Sequence, residues 1–249
     1  MINKLALIGV GLIGASLARA LRDAGHVQEV IGYGRGLANL QRAVELGVVD
    51  RIETSLSAAV RDADMVVLAT PVGCMGEILG AIAPYLARDA VVTDVGSVKG
   101  AIAAAARTAL GEKLTGFVPG HPIAGTERTG VEASFASLFV GRRVVLTPLP
   151  ETSAEAMARV RAMWQAAGAE VVSMSVEHHD AVLAATSHLP HLLAYALVDM
   201  LARLDDSREI FAYAAGGFRD FTRIASSDPV MWRDISLANR DAIVSMLKK

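Results

Sequence analysis

Cysteine is almost absent from this sequence, in which Cys74 is the single thiol among 249 residues. One cysteine excludes an internal disulfide and is typical of a protein that works in a reducing compartment such as the cytoplasm. Because the neighbours of Cys74 are small or apolar, we predict that it is a small buried hydrophobic residue.

Aromatic residues are also scarce, and neither positive nor negative charge dominates. Only 5% of the residues are aromatic although 53% are hydrophobic, so a core of Ala, Val, Leu and Ile is expected. The 24 Lys and Arg residues nearly balance the 26 Asp and Glu residues, and they form no basic tract. Such a pattern does not attract a phosphate backbone strongly, so no nucleic-acid partner is expected.

Two apolar stretches in the N-terminal part are candidates for a membrane span and a secretory signal, and neither fits. The stretch 65–83 is broken by Pro71 and Glu77 well before the ~20 residues that a span needs. The stretch Leu5–Leu21 superficially resembles a secretory signal, but it contains regularly spaced glycines and shows no convincing cleavage site. We therefore expect a cytoplasmic protein with no membrane partner.

Closely spaced glycines near the N-terminus are the first positive signal. Residues 4–8 are an apolar run typical of a buried strand, and residues 15–24 have helical spacing. Between them the chain reads Gly-Val-Gly-Leu-Ile-Gly, which permits a tight turn, the approach of a pyrophosphate and close helix packing. A purely structural glycine turn is the alternative. The predicted cofactor-binding residues of this turn are Gly9, Gly11, Leu12, Ile13 and Gly14.

The residues after the second predicted strand bear on the choice of cofactor. NAD sites usually place Asp or Glu there, on the ribose hydroxyls. Here the strand 29–33 is followed by Gly34 and Arg35. A guanidinium in place of a carboxylate would pair with a 2′-phosphate, which favours NADP over NAD. The alternative is that Arg35 stacks on adenine or is solvated, and that NAD serves equally well.

Further strands are predicted at 64–69, 90–94 and 116–119, which makes the N-terminal part an α/β domain. Ligands of open α/β sheets bind at the carboxyl ends of the strands. The residues at and just after the carboxyl ends of two of these strands are therefore predicted cofactor contacts, namely Ala69, Thr70, Pro71 and Ser97. The Ser97 hydroxyl could also cap the helix predicted at 98–110.

The segment 119–127 presents an imidazole beside this edge. Gly120 and Pro122 flank His121 and make the segment unsuitable for the interior of a helix or strand. We predict a rigid loop that aims His121, where the chemistry takes place, with Thr126 and Glu127 nearby.

The composition changes after residue 174. Strands at 142–147 and 169–174 and a helix at 153–167 complete the α/β part. Residues 176–204 then form one Ala- and Leu-rich helix, with a kink predicted at Pro190, and the remainder is helical with breaks at 216–217 and 228–229. We predict domains 1–174 and 175–249, the second an all-α domain whose apolar surface pairs with a second copy.

Two groups of polar residues stand out in the helical part. His178, His179, His188 and His191 lack an HExxH pattern, a cysteine cluster and a third carboxylate ligand, so no metal site is expected. His188 and His191 lie three residues apart and suit a polar, anionic small molecule, whereas His178 and His26 could simply be exposed.

The second group lies in 216–223, where Gly217, Asp220 and Arg223 form a candidate substrate site. Asp220 and Arg223 could hold each other and present a guanidinium to a carboxylate, or could form an ordinary surface ion pair. Trp232 is either a wall of the same site or part of the core.

Together these motifs resemble the prephenate/arogenate (cyclohexadienyl) dehydrogenase family over essentially the whole chain. The motifs are 9–14, 94–99, 121–127, 187–191 and 216–223. The resemblance implies an α/β Rossmann-like NAD(P)-binding domain followed by an all-α dimerisation domain, and hence a homodimer. It also implies oxidative decarboxylation of prephenate to 4-hydroxyphenylpyruvate, or of arogenate to tyrosine, in tyrosine biosynthesis.

The resemblance assigns a role to each candidate residue. His121 matches the catalytic histidine that hydrogen-bonds the substrate's C4 hydroxyl, and Ser97 matches the serine that supports it. Arg223 matches the arginine that binds the ring carboxylate, and His191 a histidine near the substrate side chain. The other residues that it places around the substrate are Thr126, Glu127, His179, His188 and Trp232.

Two other functions share parts of this pattern. Another two-domain NAD(P)-dependent dehydrogenase or imine reductase would need residues 9–14 but not His121 together with Arg223. A redox-sensing nucleotide-binding module would bind NADP without turnover, and the clustered His, Ser and Arg residues argue against it.

Overall fold

The computed structural model describes residues 1–126 and 128–249. Its contacts divide the chain into two compact units, Met1–His179 and Asp180–Lys249. The domain boundary that we place near residue 175 stays a prediction.

The first unit contains a six-stranded parallel sheet, as the strand pattern predicts. Its strands in spatial order β3-β2-β1-β4-β5-β6 are, along the chain, β1 (Ile2–Ile8), β2 (Val27–Tyr33), β3 (Arg51–Ile52), β4 (Met65–Leu68), β5 (Val91–Asp94) and β6 (Phe117–Val118). The helices that follow successive strands are α1 (Leu12–Asp23), α2 (Leu37–Glu45), α3 (Leu56–Val60), α4 (Val72–Ile82) and α5 (Gly100–Leu110). This alternation confirms the predicted Rossmann-like fold.

The core lies on both faces of this sheet. In β1, Leu5 and Leu7 join one cluster of buried residues, and Ala6 and Ile8 join another. Successive side chains of a strand point to opposite faces, so an unbroken apolar run fills two layers at once. Each fully buried Leu or Ile contributes about 1.5–3 kcal/mol relative to leaving it exposed.

A second, three-stranded sheet carries His121 and corrects the prediction of a loop. Its strands in spatial order are β7 (Gly120–Pro122), β8 (Arg143–Leu146) and β9 (Glu170–Ser173), and the helix α6 (Ala154–Ala166) joins β8 to β9. β7 runs antiparallel to β8, with His121 opposite Val145. Pro122 is tolerated because β7 is an edge strand and the next residue, Ile123, donates the N–H that continues the bonding to β8, at 2.8 Å to the carbonyl of Arg143.

Cys74 also differs from the prediction. It is half-buried in the first turn of α4, and its thiol lies 3.1 Å from the carbonyl oxygen of Pro71. The helix turns its buried face elsewhere, since Met75 and Leu79 fill the core in its place. The apolar neighbours of Cys74 in sequence therefore do not surround it in space.

The C-terminal part is helical, as predicted. Its segments are α7 (Val176–Leu183), a π-helical turn (Ala184–His188), α8 (Leu189–Ala202), α9 (Ser207–Ala212), α10 (Gly216–Thr222), α11 (Pro229–Ala238) and α12 (Arg240–Leu247). The irregularity of the long helix is the π turn before Pro190 rather than a kink at the proline itself. Pro190 has no N–H to donate to the carbonyl of Thr186, and such losses are often accommodated by a wider turn.

The start of α11 follows standard capping rules. The Asp228 side chain accepts hydrogen bonds from the backbone N–H groups of Val230 and Met231, at 2.8 and 2.9 Å. Pro229 occupies the first helical position, where a missing N–H costs nothing. The predicted break at 228–229 is therefore the N-cap of a new helix.

One helix in the described part of the chain, Val176–Ala202, is long and apolar enough to cross a bilayer. Its most apolar window of 18 residues has a mean hydropathy of 1.4, and 22% of that window is buried. Length and composition alone do not distinguish a membrane span from a helix that another protein surface covers.

Candidate active site

The carboxyl ends of the central strands lie side by side in the first unit. Gly9 donates its backbone N–H to the carbonyl of Tyr33 at 2.8 Å, and Ala69 donates to Ile8 at 2.7 Å. Val95 in turn donates to Leu68 at 3.1 Å. These bonds bring the glycine turn and the residues after β4 and β5 to one edge of the sheet, as predicted.

The three glycines of the turn occupy different environments. Gly9 has a φ of 102°, and a Cβ there would lie 2.4 Å from the carbonyl oxygen of Ala69. A Cβ on Gly14 would lie 2.5 Å from the carbonyl oxygen of Gly9. A Cβ on Gly11 would meet nothing within 4 Å. The turn is therefore closed towards the protein and open at Gly11, where α1 begins and a pyrophosphate can approach the backbone.

Thr70 adds a polar group at this turn. Its Cγ2 lies 3.1 Å from the position of a Cβ on Gly9, and its Oγ1 is buried without a hydrogen-bond partner among the described residues. A buried hydroxyl without a partner costs about 1–3 kcal/mol. A polar ligand at the turn would satisfy it, and in this respect the residues fit a dinucleotide. Pro71 follows as the exposed N-cap of α4.

Gly34 and Arg35 follow β2 directly, beside the glycine turn. Gly34 is half-buried, and Arg35 is exposed and forms no ion pair within residues 1–126 and 128–249. Residues 34–36 read Gly-Arg-Gly, so no carboxylate immediately follows the strand. The structure thus leaves the guanidinium available to a ligand.

Ser97 does not cap the following helix, contrary to the alternative that the sequence left open. The helix α5 begins at Gly100, and its N-cap is Lys99, whose side chain makes no capping bond. Ser97 lies in the bend after β5 and is half-buried. The helix thus begins two residues later than the predicted 98, and the Lys99 side chain is buried.

A buried ion pair between Lys99 and Asp94 supports the histidine strand. Both side chains are fully buried, and the Lys99 ammonium contacts Asp94 Oδ2 and donates to the carbonyl of Gly120 at 2.6 Å. Asp94 also accepts the backbone N–H groups of Gly96 and Gly120, at 2.8 and 3.2 Å. No role was predicted for either residue, although the sequence places the acidic Asp94 at the end of a predicted strand and Lys99 five residues later.

His121 is held at both backbone and side chain. Its exposed fraction is 8%, and its Nδ1 lies 2.9 Å from Nε2 of His179. The two rings meet edge to face with centroids 5.1 Å apart, and His179 is fully buried. The structure therefore places His179 against His121, rather than only near the substrate as predicted.

Thr126 is exposed, and its Oγ1 accepts the backbone N–H of Arg128 at 3.2 Å. Glu127, which is also a predicted substrate contact, lies outside the described residues.

In the second unit, Asn239 determines which ring nitrogen of neutral His188 carries the proton. The Asn239 Nδ2 donates to the carbonyl of Asp180 at 2.9 Å and lies 2.9 Å from Nδ1 of His188. A carbonyl can only accept, so the amide nitrogen must face it, and the second N–H then donates to His188. Neutral His188 accordingly carries its proton on Nε2.

His191 stacks on Trp232. The ring centroids are 3.5 Å apart with an interplanar angle of 14°, and the His191 Nδ1 donates to the carbonyl of Ser187 at 2.9 Å. Burial lowers the pKa of His191, the bond to Ser187 raises it, and the charge of Arg223 lowers it, with a net decrease. Trp232 is 8% exposed and contacts His188 as well, so it is part of the core of this unit.

Gly217, Asp220 and Arg223 are exposed. No ion pair joins Asp220 to Arg223 in the part of the chain that the structure describes, so the predicted pair is not formed. The helix α10 ends at Thr222 and Arg223 begins a separate 3₁₀ turn, so the two residues do not share one α-helix. His178 is exposed and His26 is half-buried.

Within residues 1–126 and 128–249, no group of three or more His, Cys, Asp or Glu residues is arranged to hold a metal ion. The polar residues of the second unit are instead held by hydrogen bonds and ring contacts.

Two family models match consecutive parts of the chain. The nucleotide-binding domain of prephenate dehydrogenase matches residues 17–173, and the dimerization domain of prephenate dehydrogenase matches residues 175–249. Together they cover the chain from the middle of α1 to its last residue.

Individual proteins agree with the family models. Cyclohexadienyl dehydrogenase of Zymomonas mobilis is 41% identical over 247 residues, which are 98% of this chain and 84% of that protein. A crystal structure of prephenate dehydrogenase from A. aeolicus, in complex with hydroxyphenyl propionate and NAD+, has 40% identity and a TM-score of 0.93, and the match covers 100% of this chain and 86% of that one. Arogenate dehydrogenase of Synechocystis has 34% identity and a TM-score of 0.82, with 98% and 87% covered. The chain belongs to the prephenate dehydrogenase family.

Proposed function

We propose that this protein oxidatively decarboxylates prephenate, arogenate or both with an NAD(P) cofactor, and so supplies 4-hydroxyphenylpyruvate or tyrosine in tyrosine biosynthesis. The observation that carries the proposal is the buried His121 in β7, whose preceding residue Gly120 donates its N–H to Asp94 at the carboxyl end of β5. The open glycine turn lies at the same edge of the sheet. An imidazole beside a nucleotide-binding edge suits removal of a hydroxyl proton during oxidation.

His121 acts as the base in this proposal. It takes the proton of the C4 hydroxyl as that carbon is oxidised, and Ser97 supports it by donating or accepting one hydrogen bond. When bound, the nicotinamide ring supplies the hydride acceptor. The electrons of the bond between C1 and the carboxylate then enter the ring and CO2 leaves. The C4 oxygen takes the proton back from His121 and becomes a phenol, and aromaticity makes the reaction strongly favourable.

The remaining assignments concern the substrate and follow the family resemblance. Arg223 binds the ring carboxylate, since a guanidinium offers a planar fork of donors. His191 stands near the side chain of the substrate. The other residues proposed to contribute to substrate binding are Thr126, Glu127, His179, His188, Gly217, Asp220 and Trp232.

For the cofactor we propose NADP in preference to NAD, on the basis of Arg35. The residues that hold it are the glycine turn, Gly34, Arg35, Ala69, Thr70, Pro71 and Ser97. The exposed Arg35 and the absence of a carboxylate in 34–36 support the preference. A kcat/KM that is clearly higher with NAD than with NADP would contradict it, and Arg35→Ser should lower kcat/KM with NADP much more than with NAD.

The decisive experiment follows NAD(P)H absorbance with purified protein and prephenate or arogenate. Turnover of either substrate supports the proposal, and the ratio of the two kcat/KM values names the substrate. Binding of NADP with no turnover of either would favour the sensing module, and turnover of a cyclic imine instead would favour a reductase.

We also propose that the protein is a cytoplasmic homodimer. The second unit leaves many large apolar side chains exposed, among them Leu193 (46%), Met200 (54%), Leu237 (67%) and Leu247 (63%). On α8, Leu193 and Met200 are seven residues apart and lie on one face of the helix. A second copy would cover such a surface, in keeping with the dimerization domain that matches this part.

A further inference from the structure

Two buried histidines touch in the first unit, and the proposed function uses only one of them as a base. The contact joins Nδ1 of His121 to Nε2 of His179 at 2.9 Å, with exposed fractions of 8% and 0%. Two N–H groups cannot form a hydrogen bond with each other, and neither can two bare nitrogens. At this distance one proton therefore lies between the rings.

Separate elements hold the two rings. His121 is fixed by the ladder between β7 and β8, and the adjoining Gly120 is bonded to the buried Lys99 and Asp94. His179 lies in the first turns of α7, where its backbone N–H donates to the carbonyl of Ser175 at 3.0 Å. The contact between the rings is thus a consequence of the tertiary fold.

The contact restricts how His121 can exchange a proton. Its Nδ1 is engaged, so a proton from a substrate must arrive at Nε2. When His121 becomes an imidazolium, both of its nitrogens carry hydrogen, and Nδ1 can only donate. His179 must then accept through Nε2. If His179 already accepts in the neutral pair, proton transfer requires no rearrangement of the rings.

We infer that His179 is a positioning residue that accepts the Nδ1–H of His121 and keeps Nε2 of His121 unprotonated. His121 is then in the tautomer that can act as a base. In the opposite arrangement His179 would donate, Nε2 of His121 would carry the proton, and His121 could not accept another there. The catalytic part of this inference rests on the proposed function, whereas the tautomer itself does not.

The kinetic test compares His179→Gln with His179→Met, which have side chains of similar length. The Gln carbonyl can accept the Nδ1–H, and the Met thioether is only a weak acceptor. We expect His179→Met to lower kcat by about 10- to 100-fold, with little change in KM for NAD(P). His179→Gln should retain kcat within several-fold of the original protein. Equal kcat values for the two variants, or a raised substrate KM at unchanged kcat, would overturn the inference.

A second readout does not depend on any substrate. Nitrogen-15 chemical shifts of the imidazoles in free protein report which nitrogen carries the proton, and His121→Asn identifies the His121 signals. We expect an Nδ1–H tautomer in the original protein and in His179→Gln, and loss of that preference in His179→Met. An Nε2–H tautomer of His121 in the original protein would overturn the inference. If the tautomer is as expected but neither prephenate nor arogenate is turned over, the proposed function fails and the assignment of the tautomer stands.

Discussion

At the level of single residues, the surroundings of His121 determine what its imidazole can do. Its backbone belongs to a strand, its Nδ1 contacts His179, and its neighbour Gly120 is held by a buried ion pair. These contacts fix the direction of the ring before any ligand binds. Such preorganisation is what a base needs if it is to take a proton without first rearranging.

His121→Asn tests the base directly. Asn can hydrogen-bond a hydroxyl but cannot accept its proton, so kcat should fall by about 10²- to 10⁴-fold. Cofactor binding should persist, because the glycine turn is untouched. The measurements are steady-state kinetics and titration of NAD(P)H fluorescence. Near-normal turnover would rule out His121 as the base.

Lys99→Met tests the ion pair under the histidine strand. It leaves Asp94 as a buried charge without its ammonium partner, which should destabilise the protein by about 3–5 kcal/mol. Urea denaturation measures this loss. The double variant Lys99→Met, Asp94→Asn removes the charge and should recover part of it. A single variant as stable as the original protein would show that the pair contributes little.

His191 provides a pH-dependent test. Because the folded protein lowers the pKa of His191 below its ordinary value of about 6.5, the unfolded chain takes up this proton more readily. The stability that neutral His191 contributes is therefore present above about pH 6.5 and is lost as the pH falls through the lowered pKa.

His191→Phe keeps a ring on Trp232 and removes the titration. The difference in melting temperature, variant minus original protein, should become more positive as the pH is lowered from 7.5 to 5. The same substitution at the exposed His178 is the control. A difference in melting temperature that does not change with pH would contradict the role given to burial of His191.

At the level of elements, two glycines of the turn between β1 and α1 have different functions. Gly14 permits close packing, and Gly11 leaves room for a ligand. A methyl group on Gly14 would meet the backbone oxygen of Gly9 at 2.5 Å, whereas one on Gly11 would meet nothing within 4 Å. The backbone of Gly11, with φ −98° and ψ −165°, is one that alanine also adopts.

Gly14→Ala should therefore destabilise the fold by about 1–3 kcal/mol, because backbone must move to make room. Gly11→Ala should change stability by less than about 0.5 kcal/mol and raise the Kd for NAD(P), because its methyl group occupies the approach of the pyrophosphate. Thermal unfolding and cofactor titration of both variants measure the two effects. Equal loss of stability in the two variants would contradict this division.

At the level of the whole molecule, the exposed apolar surface of the second unit calls for a partner. Leu193→Glu combined with Met200→Glu places two charges on one face of α8 and should convert a dimer into monomers. Light scattering after gel filtration gives the mass, to be compared with 26.1 kDa for one copy. Arg208→Glu, at an exposed polar position, is the control. A single-copy mass for the original protein would contradict the proposed dimer.

The same experiment bears on the apolar helix Val176–Ala202. If a second copy covers it, the protein stays in the supernatant without detergent and the double variant becomes monomeric. Recovery of the original protein only in the membrane fraction would contradict the proposed cytoplasmic location.

The sequence alone determined the fold class and the position of the nucleotide edge. Apolar runs such as 4–8, the glycine turn and helical spacing are local patterns, and each reflects a backbone geometry that its own residues impose. For the same reason the helix break at 228–229 and the helical C-terminal part could be predicted. His121 was identified because its flanking glycine and proline are local signals too.

Only the tertiary structure decided how the side chains meet. Neither the pairing of His121 with His179, 58 residues apart, nor the strand geometry of β7 follows from neighbouring residues, because both depend on contacts with distant elements. The contact of Asn239 with His188, the stacking of His191 on Trp232 and the half-burial of Cys74 have the same origin. Local sequence determines where turns, helices and buried strands are favoured, whereas strand pairing at an edge, burial and hydrogen-bond partners depend on which distant elements the fold brings together.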